Sequence, residues 1–141
     1  MRTMKVMCSI ILSAIICLIS FSAMAGGYEV YNNFLSEAKS QKPYTGQPGK
    51  GKKIAFANIV NGSLFCDLVE ESIVRQAKLA GFDEKNIIIV NNQYNASIGL
   101  KNSDIVLAKR PDVFIEFQFD AKVNNLVARK FKRAGIPIVA I

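Results

Sequence analysis

The chain has 141 residues, half of them apolar, and a formal charge of +7 at neutral pH. That length holds one domain at most, or part of one. Histidine is absent, which removes the commonest general base and the commonest zinc ligand. The basic residues are spread along the chain and do not gather with aromatics, which argues against a nucleic-acid partner.

Met1 to Ala25 has the three parts of an export signal. Arg2 and Lys5 give a basic start, Val6 to Phe21 is apolar, and Ala23-Met24-Ala25 is a small-x-small triplet that places cleavage after Ala25. The rival reading is an uncleaved membrane anchor, because the apolar run nearly spans a bilayer. Without this segment 16 basic and 11 acidic residues remain, with Cys66 as the lone thiol. One cysteine cannot close an internal disulfide, and a small buried thiol is its ordinary role.

From Gly26 to Ser40, Val30, Tyr31, Phe34, Leu35 and Ala38 share a helical face and predict a short amphipathic helix. Gln41 to Lys53 is rich in proline, glycine and lysine, the composition of a solvated linker. The folded part starts at Lys53. Ile54 to Ile59 predicts the first strand, and Asn61-Gly62-Ser63 a turn that caps a helix. That helix runs from Leu64 to about Ala80, with Phe65, Leu68, Val69, Ile73, Ala77 and Ala80 as its inner stripe. Asp67, Glu70, Glu71, Arg75 and Lys78 face water on this pattern. Ile87 to Val90 is a continuous apolar run, as expected of a strand covered on both faces.

Asn91 to Asn95 reads as a polar loop. Ala96 to about Arg110 predicts a weaker helix, its pattern broken by Gly99 and Asn102 and its end set by Pro111. Val113 to Phe117 predicts a third strand. Val123, Leu126, Val127, Phe131 and Ala134 then give one helix face, with Asp120 at the N-cap position and Gly135 at the stop. Ile136 to Ile141 predicts a fourth strand. The order β-α-β-α-β-α-β argues for an α/β domain with a parallel sheet of about four strands and flanking helices. Ligands of such sheets sit beyond the carboxyl ends of the strands, where strand order reverses. The positions of interest are therefore Asn58 to Phe65, Asn91 to Tyr94, and Glu116 to Asp120.

No catalytic motif is present. There is no glycine-rich dinucleotide turn, no phosphate-binding loop and no nucleophile elbow, so no cofactor is implied. Glu116 alternates with apolar neighbours, so it either faces the cleft or pairs with a cation. Gln118 and Asn61 are amides at strand-to-helix loops, able to donate and accept as sugar hydroxyls require, although loop polarity alone explains them as well. Asp120 serves as a helix cap at the mouth of the cleft, a role compatible with ligand contact. Phe65 and Phe119 are the aromatic candidates for stacking on a sugar, with Phe65 also fitting the core stripe of its helix.

Lys53-Ile-Ala-Phe-Ala-Asn-Ile followed by Asn-Gly-Ser-Leu-Phe resembles the opening strand and loop of periplasmic sugar-binding proteins of the ribose-binding type. Arg110-Pro-Asp-Val-Phe-Ile-Glu-Phe-Gln, Phe131-Lys-Arg-Ala-Gly and Ile136-Pro-Ile-Val-Ala-Ile are similar to the same family, from about Lys53 to Ile141. These are the type I, Rossmann-like receptors of ABC importers. The resemblance implies a periplasmic, non-enzymatic solute-binding component with a sugar or similar polyol as ligand and a membrane permease as partner. Carried over by position, Asn61, Ser63 and Phe65 match the first contact loop, and Glu116, Gln118 and Asp120 the loop after the third strand. Three departures stand out. The family's aromatic pair is here Phe65-Cys66, and its aspartate after the last strand is absent, as is the second lobe. The chain thus resembles the front portion of such a receptor, an incomplete N-terminal lobe. The expectation is weak folding, weak or no sugar binding alone, and an apolar sheet edge at Ile136 to Ile141. The competing expectations are a membrane-anchored interaction protein and a flavodoxin-like α/β enzyme.

Overall fold

A computed structural model describes residues 28–141. The expected export signal, Met1 to Ala25, lies outside the described residues. The described residues fall into two compact units, divided between Gln41 and Lys42. In the first, α1 spans residues 28–40, as the apolar spacing predicts, and Tyr28, Val30, Tyr31, Phe34 and Leu35 are exposed on it. Among the described residues no helix is long and apolar enough to cross a membrane.

The second unit is a four-stranded parallel sheet with flanking helices, an α/β fold. Its elements are β1 (Ile54–Asn58), α2 (Leu64–Leu79), β2 (Ile87–Asn91), α3 (Ala96–Ala108), β3 (Val113–Glu116), α4 (Ala121–Arg133) and β4 (Ile138–Ala140). A single 3-10 turn, Glu84–Asn86, leads into β2. The strand order is β2-β1-β3-β4 and every pairing is parallel. The register sets Asn58 beside Asn91 and Ala57 beside Glu116, so the carboxyl ends of β1, β2 and β3 lie within one residue of the same level.

Side chains alternate along each strand, and the two faces differ in cover. Ala55, Ala57 and Phe114 point into the layer of α3 and α4, where they pack with Val106, Val123, Val127 and Phe131. Phe114 and Phe131 stack at 4.5 Å between ring centroids. Ala55 and Ala57 leave room for the helices to approach the sheet closely. The opposite face carries Ile54, Phe56 and Ile115, and α2 lies on it.

Several expectations require correction. On α2 only Cys66 and Ala77 are buried, whereas Phe65 and Leu68 are more than half exposed. Within the second unit α2 is the one helix described on that face of the sheet, and one flank of its apolar stripe is exposed. Glu70 does not simply face water; it is half-buried and accepts a 2.9 Å hydrogen bond from Asn58 Nδ2. On α4 the buried residues are Val123, Val127 and Phe131, while Leu126 and Ala134 are exposed. Strand β2 is half-buried throughout because it is an edge, not an interior strand.

The segment read as a solvated linker is tied to the end of α2. Tyr44 N and Gly49 N donate to Leu79 O and Ala80 O at 2.8 Å, and Tyr44 Oη donates to Gln76 Oε1 at 2.6 Å. Gly49 lies so close to the Phe82 ring that a Cβ there would collide with it. These bonds occupy carbonyls that a helix end leaves without an intrahelical partner.

Candidate functional site

The chain passes from β1 outward to β2, then returns across β1 to β3. Strand order therefore reverses between β1 and β3, and the loops after these two strands flank a crevice. The loop after β2 lies beside them. Its Asn92 N and Tyr94 N donate to Asn58 O and Ile59 O at 2.8 and 2.7 Å. Gln93 and Tyr94 both adopt left-handed backbone, at φ 53° and 51°. Left-handed conformation costs about 1–2 kcal/mol per non-glycine residue, and here it reverses the chain sharply and places the Tyr94 ring on the rim.

Two aromatic pairs cross between loops. Tyr94 stacks on Phe119 with centroids 4.4 Å apart and planes tilted by 16°. Phe65, at the start of α2, meets Phe117 edge to face at 6.3 Å. All but Phe117 are exposed, with Phe65 at 67 %. The exposed Phe65 corrects its placement in the core stripe: in the first turn of α2 it is Cys66 that is buried, while Phe65 lies exposed against the Phe117 ring.

Beneath the rim lies a buried polar cluster. Asn92 and Glu116 are fully buried, and Gln118 is nearly so; Asn58, equally buried, faces α2 on the other side of the sheet, where it donates to Cys66 O and Glu70. Asn92 Nδ2 donates to Glu116 Oε1 and to Phe117 O, both at 3.4 Å. Asn102 Nδ2, on α3, donates to Asn91 O at 2.8 Å and to Asn92 Oδ1 at 3.0 Å. Gln118 Oε1 accepts from Phe119 N at 2.9 Å, and Asn124 Nδ2 donates to Gln118 O at 3.1 Å. Gly99 and Asn102, which break the apolar pattern of α3, thus form its inward seam. Gln118 Nε2 sits where a Cβ on residue 99 would stand, so any larger residue there must displace the Gln118 amide.

Four buried polar atoms have no partner among the described residues: Asn58 Oδ1, Glu116 Oε2, Gln118 Nε2 and Asn124 Oδ1. Glu116 has no cation beside it, so the expected alternative of a salt bridge is not realised among the described residues. Burial pushes its carboxyl up from 4.5 to about 7, against the smaller downward effect of the Asn92 hydrogen bond. Near neutral pH it therefore alternates between a neutral acid, able to donate, and a carboxylate.

The remaining sequence-derived candidates lie on the rim. Asn61 is exposed and Ser63 half-buried. Ser63 occupies the N-cap position of α2 without a side-chain cap bond; Asp67 Oδ1 instead accepts from Gly62 N at 3.0 Å. Asp120 caps α4 as expected, accepting from Lys122 N at 2.8 Å and Val123 N at 3.1 Å. Asn95, expected in a loop, caps α3 in the same way. Asn92, Tyr94, Asn102 and Phe117 were not singled out from the sequence. The first two and Phe117 fall in the loops that topology marks, but Asn102 shows only as a break in helix periodicity. Among the described residues no group of three or more acidic or cysteine side chains could hold a metal ion.

No protein-family model matches the chain. No curated protein matches it either. Among solved structures it is similar to an ABC sugar transporter subunit from Rhodobacter sphaeroides 2.4.1, at 22 % sequence identity and a TM-score of 0.57. That likeness covers 64 % of this chain and 31 % of that one. At this identity it establishes the fold alone, a parallel α/β sheet with flanking helices, and the chain spans less than a third of that subunit's length.

Proposed function

We propose that this chain is a solute-binding component of an ABC importer and that its ligand is a sugar or similar polyol. The observation that carries the reading is the crevice at the strand-order reversal, rimmed by the Tyr94–Phe119 and Phe65–Phe117 pairs and floored by amides and Glu116. Aromatic faces suit the apolar side of a pyranose or furanose ring. Amides such as Asn61 and Gln118, with Asp120 and Ser63 beside them, offer donors and acceptors to hydroxyls. The fold shared with a sugar transporter subunit supports the same reading, and that neighbour is a transport component, not an enzyme. In this proposal the protein acts in the periplasm after cleavage behind Ala25, and a membrane permease receives the solute.

One lobe offers one half of a clamp, so affinity is expected in the millimolar range, weaker than a closed pocket supplies. The test is NMR titration of the isotope-labelled chain with a panel of pentoses and hexoses. Shift changes should gather at Asn61, Ser63, Phe65, Tyr94 and Gln118 to Asp120 for at least one sugar, and Phe65→Ala should abolish them. Shifts scattered over the surface for every sugar, or none at all, would refute the proposal.

A further inference from the structure

The helical layer carries a groove unrelated to the loops of the candidate site. It lies between α3 and α4, has a volume of about 620 Å³, and is lined by Leu100, Leu126, Arg129, Lys130, Arg133 and Ala134. Its floor is apolar: Leu126 is 51 % exposed, an unusual position for leucine on a helix whose other apolar residues pack on the sheet. Its wall is cationic. Helix α4 contains five basic residues and no acidic one, three of the basic ones in its last turn. Lys130 is occupied, donating to Asp104 Oδ1 at 2.6 Å and to Ser103 Oγ at 3.3 Å. Arg129 and Arg133 are exposed and, among the described residues, have no carboxylate partner.

We propose that this groove is a docking surface for an acidic amphipathic helix of a partner protein. Three features select that occupant. Arg129 and Arg133 are one helical turn apart, on the side of α4 that also carries Leu126, and a partner helix can match them with carboxylates at the same i, i+4 spacing. Leu100 and Leu126 form an apolar strip between helices, which accepts leucine-like anchors but gives nothing to a sugar-phosphate backbone. The surface is concave and carries no aromatic ring, whereas contact with a planar bilayer is made by convex apolar faces with interfacial aromatics. Arginine also suits bidentate pairing with carboxylates.

The experiment uses the full chain and a synthetic amphipathic peptide of about 18 residues, long enough for five helical turns. One face of the peptide carries leucines and the flanks carry glutamates. Fluorescence anisotropy should show saturable binding that weakens with salt. A peptide of the same composition in scrambled order should bind at least about tenfold more weakly. The pair Arg129→Glu with Arg133→Glu should lose about tenfold or more, and Leu126→Gln a similar factor. The charge-matched pair Lys52→Glu with Lys85→Glu, exposed elsewhere, should leave binding within about twofold. Circular dichroism confirms that each variant is folded, and Leu126→Gln keeps the test decisive if the arginine pair is not. Equal losses for the two charge pairs, equal binding of ordered and scrambled peptides, or binding to anionic phosphatidylglycerol vesicles without binding to the peptide would each overturn the proposal.

Discussion

Glu116→Gln tests the physical account of the buried cluster. The side chain is fully buried, one of its oxygens has no partner, and folding moves its carboxyl from 4.5 to about 7. The folded state thus holds the proton more tightly than the unfolded chain does. Stability from the neutral acid is complete below pH 4.5 and is lost as pH rises through 7. At about 1.4 kcal/mol for each tenfold ratio, the whole linkage is roughly 3 kcal/mol, of which about 2.5 kcal/mol falls between pH 5 and pH 8. Glutamine keeps the volume and the carbonyl that accepts from Asn92, and it cannot ionise. Urea unfolding followed by far-ultraviolet circular dichroism at pH 5, 6.5 and 8 gives the stability of both proteins. Other groups titrate in both, so the readout is the difference between them. Glu116→Gln should be close to the parent at pH 5 and more stable than it by about 2 kcal/mol at pH 8. A difference that does not change with pH would refute the reasoning and mean that the carboxylate is solvated or paired.

Three further outcomes follow from single contacts. Gly99→Ala should gain up to about 1 kcal/mol of helix propensity but lose more by displacing Gln118; in a Gln118→Ala background the same change should stabilise, and equal effects in the two backgrounds would sink the idea. Asp120→Ala should cost about 1 kcal/mol through loss of two cap bonds, whereas Ser63→Ala, which makes no cap bond, should cost less than about 0.5 kcal/mol, both read from thermal unfolding. Glu70→Ala should cost about 1–2 kcal/mol because it leaves buried Asn58 without its better acceptor, whereas exposed Glu71→Ala should be nearly neutral in urea unfolding.

Much of the fold is written in local patterns. The run Ile87 to Val90, the turn residues before each helix, and the stop at Gly135 all reflect forces acting within a few residues, and each element lies within three residues of its expected bounds. What periodicity leaves open is how wide a cover each face receives. The spacing of Phe65, Leu68 and Ile73 says that they share a side of α2; it does not say that Phe65 and Leu68 are more than half exposed. The outward assignment of Glu70 failed for a related reason. Its partner Asn58 is twelve residues away on a strand, and only the packing of helix on strand joins them. Gly99 and Asn102 weakened the case for α3 because they were weighed as helix residues. Their reason lies in Gln118 and Asn92, on loops that sequence distance hides.

The same cluster bears on the charge of the proposed ligand. Parallel register sets Asn58 beside Asn91, and Glu116 one level lower beside Ala57, while Asn92 and Gln118, just beyond the strands, are again uncharged. No lysine or arginine side chain among the described residues hydrogen-bonds to this cluster; Lys130, the cation bonded to α3, meets Ser103 and Asp104 instead. An anionic solute would find no fixed positive charge here and would meet a carboxyl that ionises near neutral pH. A cationic solute would have to hold Glu116 ionised at a buried position with a single amide donor, against the desolvation that pushes its proton affinity up. A neutral polyhydroxyl solute incurs neither cost. Its hydroxyls suit Gln118 Nε2 as a donor and Glu116 Oε2 as an acceptor, two buried atoms without a partner among the described residues.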